Sequence, residues 1–255
     1  KLKKKDIDTK QQIGKVIHVN RYCRIRKCKG NHFLSGEKAY FCPKYSDMLI
    51  IKRHQTDPYF NLATEEYVLR NFEEDIFMLW RNGPSIIVGK HQNTLAEINV
   101  DFVKRNNIPV VRRLSGGGAV FHDLGNLNFT FIQSGDKEGL IDFRKYTRPI
   151  LEVLQKMGIA AKFEGRNDLT IGGKKFSGNA EHIWKTRVLH HGTLLFSAQI
   201  TDLSQALNAD PEKFRDKAVK SVRSRVTNIS EHLKDPMDVL QFASMIQDHM
   251  VEKYP

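Results

Sequence analysis

Three consecutive glycines, Gly116-Gly117-Gly118, separate the strand-like run IPVVRR (108–113) from AVFHD (119–123), and Leu127, Phe129 and Phe131 then alternate along a further strand. Glycine weakens any regular element it occupies, so three in a row force the chain to leave one strand and enter another. Two outcomes satisfy that demand. One is a sharp structural turn carrying two surface arginines. The other is a loop whose backbone approaches a ligand, since N–H groups unscreened by a Cβ, beside Arg112, Arg113 and Ser115, suit an anion. The G-x4-G-K-[ST] spacing of a P-loop is absent.

The surrounding pattern sets the fold class. Met48 opens the main fold with the strand MLIIKR, and Asp57-Pro58 then reads as an N-cap and a first-turn proline for a helix through about Phe72. IFMLW and SIIVG read as short strands joined at Asn82-Gly83-Pro84, and residues 97–106 as a short helix. A helix spans about 142–157. LTIGGKKFSG follows as a hairpin turning at Gly172-Gly173, and RVLHHGTLLFS as a strand. Two helices close the chain, opening near Thr201-Asp202 and Asp235-Pro236, the last with Val239, Ala243, Ile246 and Met250 on one stripe. Strands and helices interleave, yet several strands are hairpin-linked. That predicts an α/β (α+β) fold with a mixed β-sheet flanked by helices.

Charge is unevenly placed. The net charge of +12 sits mainly in residues 1–47, which hold 13 Lys/Arg against 4 Asp/Glu, and the body is nearly balanced at 28 against 25. A basic arm invites a nucleic-acid reading, but a solvated tail is the commoner outcome, and nucleic acid is not the expected partner. No apolar run reaches the ~18 residues of a membrane span, and no signal peptide is evident. All three cysteines, Cys23, Cys28 and Cys42, lie in the arm. With His32 they could bind zinc, but the tight C-x2-C pair is missing, so free thiols in a reducing compartment are expected.

Three further segments carry chemistry. Asn167-Asp168 at a strand entry can hold Mg2+ through carboxylate oxygen, and Lys175, before Ser177-Gly178, offers a point charge for phosphate. His190-His191 in a strand must face opposite sides, which makes them a poor metal pair. KSVRSRVTN (220–228) alternates basic and hydroxyl groups that donate to phosphate or ribose. Together these suggest a phosphate-bearing ligand held by glycines, lysine and magnesium.

RRLSGGGAVFHDLGNLNFTF, GRNDL, GGKKFSGNA, HHGTLL and KSVRSRVTN stand in the order found in the lipoate–protein ligase branch of the biotin/lipoate ligase family, which residues 48–255 resemble as a whole. The resemblance implies a class II synthetase-like catalytic domain that activates lipoate with ATP and Mg2+ to lipoyl-AMP. It then passes the lipoyl group to a lysine of lipoyl-domain acceptors, the 2-oxoacid dehydrogenase acyltransferases and the glycine-cleavage H protein. Carried over by position, Arg113, Ser115, Gly116, Gly117 and Gly118 form the lipoate loop, and Lys175 contacts carboxylate and phosphate. Asn167 binds nucleotide, Asp168 the magnesium. Ser221, Arg223, Arg225 and Asn228 belong to the loop that closes over the adenylate, and Trp80, His122, Ser177, Gly178 and His191 complete the binding set.

The family's smaller accessory domain is expected to be missing from this sequence, leaving two alternatives: it has been removed, or it is supplied as a separate partner protein. The expected compartment is the cytoplasm, or the mitochondrion in a eukaryote. Two related activities stay open. A lipoyl-AMP transferase without its own adenylation needs the same groups, whereas octanoyl and lipoyl transferases often use a cysteine, and no cysteine follows residue 42.

Overall fold

The computed structural model describes residues 19–20, 48–52, 54–135, 141–207 and 225–253. In chain order its strands are β1 (Val19–Asn20), β2 (Leu49–Lys52), β3 (Ile76–Trp80), β4 (Ser85–Val88), β5 (Val110–Arg112), β6 (Val120–His122), β7 (Asn126–Ser134), β8 (Ala161–Glu164), β9 (Asp168–Ile171), β10 (Lys174–Trp184) and β11 (Arg187–Leu195). The helices are α1 (Pro58–Asn71), α2 (Thr94–Glu97), α3 (Val100–Arg105), α4 (Phe143–Lys156), α5 (Ile200–Ala206) and α6 (Val239–Lys253), with a 3-10 turn at Ile229–His232.

Eight strands form one sheet in the order β1-β2-β3-β7-β11-β10-β9-β8, and three form a second in the order β5-β4-β6. Both are mixed: β2 runs parallel to β3 and β4 parallel to β5, among otherwise antiparallel pairs. The period of two in strand side chains sorts the core. Phe77, Phe129 and Phe131 point to one face, where α4 and α6 supply Tyr146, Ile150, Phe242 and Ile246. Ile76, Met78 and Trp80 point to the other, against Leu62, Val68 and Leu69 of α1. A third cluster joins Ile86 and Val88 of the small sheet to Val103 and Ala206. No helix among the described residues is long and apolar enough to cross a membrane.

Local chemistry explains the boundaries. Asp57 caps α1 by accepting from Phe60 N at 2.8 Å, with Pro58 in the first turn as expected. The Gly172-Gly173 turn has φ of 56° and 75°, the left-handed pair that a two-residue hairpin with this twist demands.

The Asn82-Gly83-Pro84 segment joins β3 and β4 as expected and, since the two strands belong to different sheets, it crosses from one sheet to the other. Buried Asn82 pins it through bonds to Asn61 and His122. Two helix boundaries need correction. The helix expected over 97–106 is shorter, Val100–Arg105, because Asn99 caps it by accepting from Phe102 N at 3.0 Å, and a separate helix, Thr94–Glu97, precedes it. The last helix starts at Val239 because Asp238, rather than Asp235, accepts from the Leu240 and Gln241 amides.

Candidate functional site

The glycine loop is not a hairpin turn. β5 and β6 do not pair with each other; they lie on opposite sides of β4, so residues 113–119 must cross over the end of that strand. The crossing is close: a Cβ on Gly89, just past β4, would lie 2.1 Å from Gly117 O. Lys90 N donates to Ser115 O at 2.9 Å and Arg113 N to Val88 O at 3.0 Å, which staples the first part of the loop to the end of β4. Of the three glycines only Gly117 is described with a positive φ, +89°, while a Cβ on Gly116 would meet nothing within 4 Å.

Arg113 faces inward. Its Nε donates to Ser115 Oγ at 3.0 Å, Nη1 to Ile87 O at 3.1 Å, and Nη2 to Gly116 O and Gly118 O, both at 2.7 Å. One buried guanidinium thus organises the loop from beneath, a task suited to its planar fork of donors. Burial lowers its pKa to about 10, opposed by the negative charge of Glu65. Arg112, on the outer side, donates to the Gly89 and Gln92 carbonyls and to Thr94 Oγ1.

A continuous hydrogen-bonded chain ties this loop to the large sheet. Trp80 Nε1 donates to Thr130 Oγ1 at 2.9 Å, and Thr130 donates to Glu65 Oε1 at 2.6 Å. His191 Nδ1 meets the same carboxylate at 3.0 Å, and its Nε2 lies 2.6 Å from Ser115 Oγ. The only donor assignment that satisfies every member has Nδ1–H donating to Glu65 and Nε2 accepting from Ser115. The Ser–His–carboxylate order is that of a nucleophilic triad, but Ser115 is 1% exposed and its oxygen already accepts from Arg113. The arrangement therefore holds the loop. Glu65 carried no signal in the sequence beyond being a carboxylate on the inner face of α1.

His122 is also buried. Asn82 Nδ2 donates to its Nδ1 at 3.1 Å, and its ring meets Trp80 edge-on at 6.1 Å between centroids. Burial, then the charges of Arg113 and His191, pull its pKa down to about 3, so it is neutral. That leaves Nε2–H buried without a partner among the described residues, as is Asn128 Nδ2 on β7, opposite Trp80. Two orphan donors beside a tryptophan suit an acceptor from a ligand or a buried water.

At the far side of the large sheet, Asp168 opens β9 and Lys175 lies on β10. Lys175 Nζ is 2.8 Å from Asp168 Oδ1, both side chains being about 30% exposed. Gly178 makes room for this ammonium, since a Cβ there would lie 3.1 Å from Lys175 Nζ. A bulge between Lys175 and Ser177 breaks the β9–β10 register, and there the segment after Arg225 docks. Lys175 N donates to Arg225 O at 2.8 Å, and Thr227 N to Lys175 O at 3.0 Å. The backbone of Arg225 is thus held beside Lys175. The Asn228 amide is bound to Ala198 N and O, an anchoring contact. Ser177 is buried and accepts from Asn179 Nδ2 at 3.3 Å. Asn167 Nδ2 donates to Asn179 O.

Ser221 and Arg223 lie outside the described residues, as do Cys23, Cys28, His32 and Cys42. Among the described residues no cluster of three His, Cys, Asp or Glu could hold a metal alone.

A family model described as the lipoyl protein ligase A/B catalytic domain matches residues 57–251. Lipoate–protein ligase 1 of Staphylococcus aureus is 49% identical over 193 residues, covering 75% of this chain and 59% of that protein. Lipoate–protein ligase LplJ of Bacillus subtilis is 45% identical over 205 residues, 80% of this chain and 62% of its own length. The chain spans about three fifths of the length of these relatives. Among solved structures, P. falciparum LipL1 in complex with lipoate superposes with a TM-score of 0.71 at 32% identity, over 81% of this chain and 62% of that one. An archaeal bi-partite lipoate protein ligase from Thermoplasma acidophilum, described with its E2 lipoyl domain, gives 0.66 at 28%, over 80% and 82%. A lipoate–protein ligase A bound with ATP gives 0.66 at 25%, over 80% and 83%.

Proposed function

Since the chain belongs to the family of lipoyl protein ligase A/B catalytic domains, we propose that it joins lipoate to ATP as lipoyl-AMP and transfers the lipoyl group to a lysine of a lipoyl domain. The observation that carries this reading is the Lys175–Asp168 pair at 2.8 Å, set in space left by Gly178 beside the docked Arg225 segment. In the first step a lipoate oxygen attacks the α-phosphorus and diphosphate leaves. Two anions must approach, and the Lys175 ammonium offsets their repulsion where charge accumulates. In the second step the acceptor amine attacks the acyl carbon, AMP leaves, and the amine's proton passes to solvent. The apolar dithiolane tail would pack beside Trp80, where His122 and Asn128 offer buried donors.

Magnesium fits the residues present. A single half-exposed carboxylate, Asp168, is the usual protein share of a magnesium ion held mainly by substrate phosphates and water. Asp168 would hold it with Asn167 adjacent, and the ion would neutralise phosphate charge.

The lipoate-bound and ATP-bound neighbours support both substrates, and the archaeal neighbour's E2 lipoyl domain supports the acceptor class. That neighbour's bi-partite nature makes a separate accessory protein part of the proposal. Incubation with lipoate, MgATP and a lipoyl domain should yield one lipoyl-lysine amide by mass spectrometry, with AMP and diphosphate. Product formed only from acyl-carrier-protein donors would sink the ligase reading. Absence of ATP–diphosphate exchange, even with an accessory protein added, would replace it with a lipoyl-AMP transferase.

A further inference from the structure

The face of the large sheet opposite the glycine loop holds a buried polar relay that none of the roles above uses. Asn179 on β10 grips Asn167 three times: its backbone N donates to Asn167 O at 3.0 Å, its Nδ2 donates to the same oxygen at 3.0 Å, and its carbonyl accepts from Asn167 Nδ2. Asn179 Oδ1 meets His190 Nε2 at 3.3 Å, and His190 Nδ1 lies 2.9 Å from Glu181 Oε1. His190 is fully buried, packed against Phe129, Phe143 and Tyr146, and the Glu181 side chain is 4% exposed. Gly192 is required beside this relay, since a Cβ there would lie 2.1 Å from Asn179 Oδ1.

The direction of these bonds is determined. Asn167 O can only accept, so Asn179 must turn Nδ2 toward it and Oδ1 toward His190. His190 Nε2 must then carry a proton. A neutral imidazole protonated at Nε2 has a lone pair on Nδ1, so the contact with Glu181 needs one further proton, on the carboxyl or on the ring. Removing it sets two lone pairs face to face at 2.9 Å. Shifting the ring proton to Nδ1 relieves that clash but leaves Nε2 facing Asn179 Oδ1; the amide must then turn to donate to Nε2, and of the three bonds to Asn167 the one from Asn179 Nδ2 is lost.

We propose that Asn179 and His190 are positioning residues for the Asn167–Asp168 nucleotide and magnesium pair, locked in place by one proton shared between His190 and Glu181. The proposal rests on the ligase reading of Asn167 and Asp168. Burial pushes the Glu181 carboxyl up to about 7, with the Asp142 charge adding to it and the Asp142 backbone and Arg166 opposing. Burial and the neighbouring His191 keep His190 well below its ordinary value, so the shared proton resides on Glu181. The titratable and charged groups around the pair are Asp142 and Tyr146 at the start of α4, Arg166 before β9, and His191 on β11. The lock is closed below about pH 7 and opens above it.

The test is calorimetric titration of the 255-residue protein with MgATP, and separately with lipoate, at pH 6.5 and 8.5. Loss of a group that orients a ligand-holding residue costs about 10–100-fold in affinity. Asn179→Ala should weaken MgATP binding by that factor at both pH values and leave lipoate binding unchanged. Wild type should lose MgATP affinity between the two pH values. Glu181→Gln, whose amide donates to Nδ1 at any pH, should retain the pH 6.5 affinity at pH 8.5. Wild-type MgATP binding by Asn179→Ala, or an equal alkaline loss in Glu181→Gln, overturns the proposal. A wild type that binds lipoate but no MgATP at either pH overturns the nucleotide reading and this proposal with it.

Discussion

Substituting Gly89 by alanine tests whether the glycine loop must pass as closely over β4 as it does. The new Cβ would stand 2.1 Å from Gly117 O and 3.1 Å from Gly117 C, and real Cβ contacts do not fall under 3.0 Å. Both atoms are backbone, so no side chain can swing away, and the loop must retreat by about 1 Å. A displacement of ~1 Å at a reacting centre costs about 10²-fold in rate. Stability falls less, because the retreat strains two staples, Lys90 N to Ser115 O and Arg113 N to Val88 O, each worth about 1 kcal/mol. Gly116→Ala is the control, since its Cβ meets no atom within 4 Å and the free protein should melt as wild type does. Lipoylation turnover, lipoate affinity and melting temperature are measured for both. Wild-type turnover in Gly89→Ala refutes the close-passage argument. Wild-type lipoate affinity in both variants would refute the assignment of the ligand to this loop.

Arg113→Lys keeps the charge but replaces four directed bonds with a single ammonium, leaving buried carbonyls unpaired at about 1–3 kcal/mol each, so urea denaturation should show a loss of several kcal/mol. A shift under ~0.5 kcal/mol would show that the loop holds itself. Lys175→Ala should slow adenylate formation by about 10²–10³-fold; its partly exposed pair with Asp168 contributes at most about 1 kcal/mol, so the melting temperature should barely move. Turnover near wild type would remove Lys175 from its role. For Glu181, the folded state holds between pH 4.5 and about 7 a proton that the unfolded chain releases. Its contribution is therefore fully present below pH 4.5 and lost as pH rises through about 7. The urea midpoint of Glu181→Gln should lack that decline, and parallel wild-type and variant profiles would exclude the buried pair as its source.

Where a signal is local, the sequence alone suffices. Asp57-Pro58 opens a helix, Gly172-Gly173 turns a hairpin, and His190 and His191 face opposite sides, because capping, left-handed φ and strand alternation depend only on near neighbours. Boundaries failed where two local signals competed, as when Asp238 took the cap offered by Asp235. The site itself was half legible. Lys175 and Asp168 stand out as charges at a hairpin, but nothing in the chain places Glu65 against His191, 126 residues away, or Asn179 against both Asn167 and His190.

What the sequence by itself determined is the run of elements, the mixed sheet and the family, since each follows from short-range patterns and ordered motifs. What only the tertiary structure decided is the work those motifs do. Three glycines in a row cannot say whether they close a hairpin or cross a strand, because that depends on which strands pair, and β5 and β6 both chose β4. An arginine beside them cannot say whether it faces ligand or loop. It faces the loop, because four acceptors converge beneath it and a buried cation persists only where such acceptors surround it.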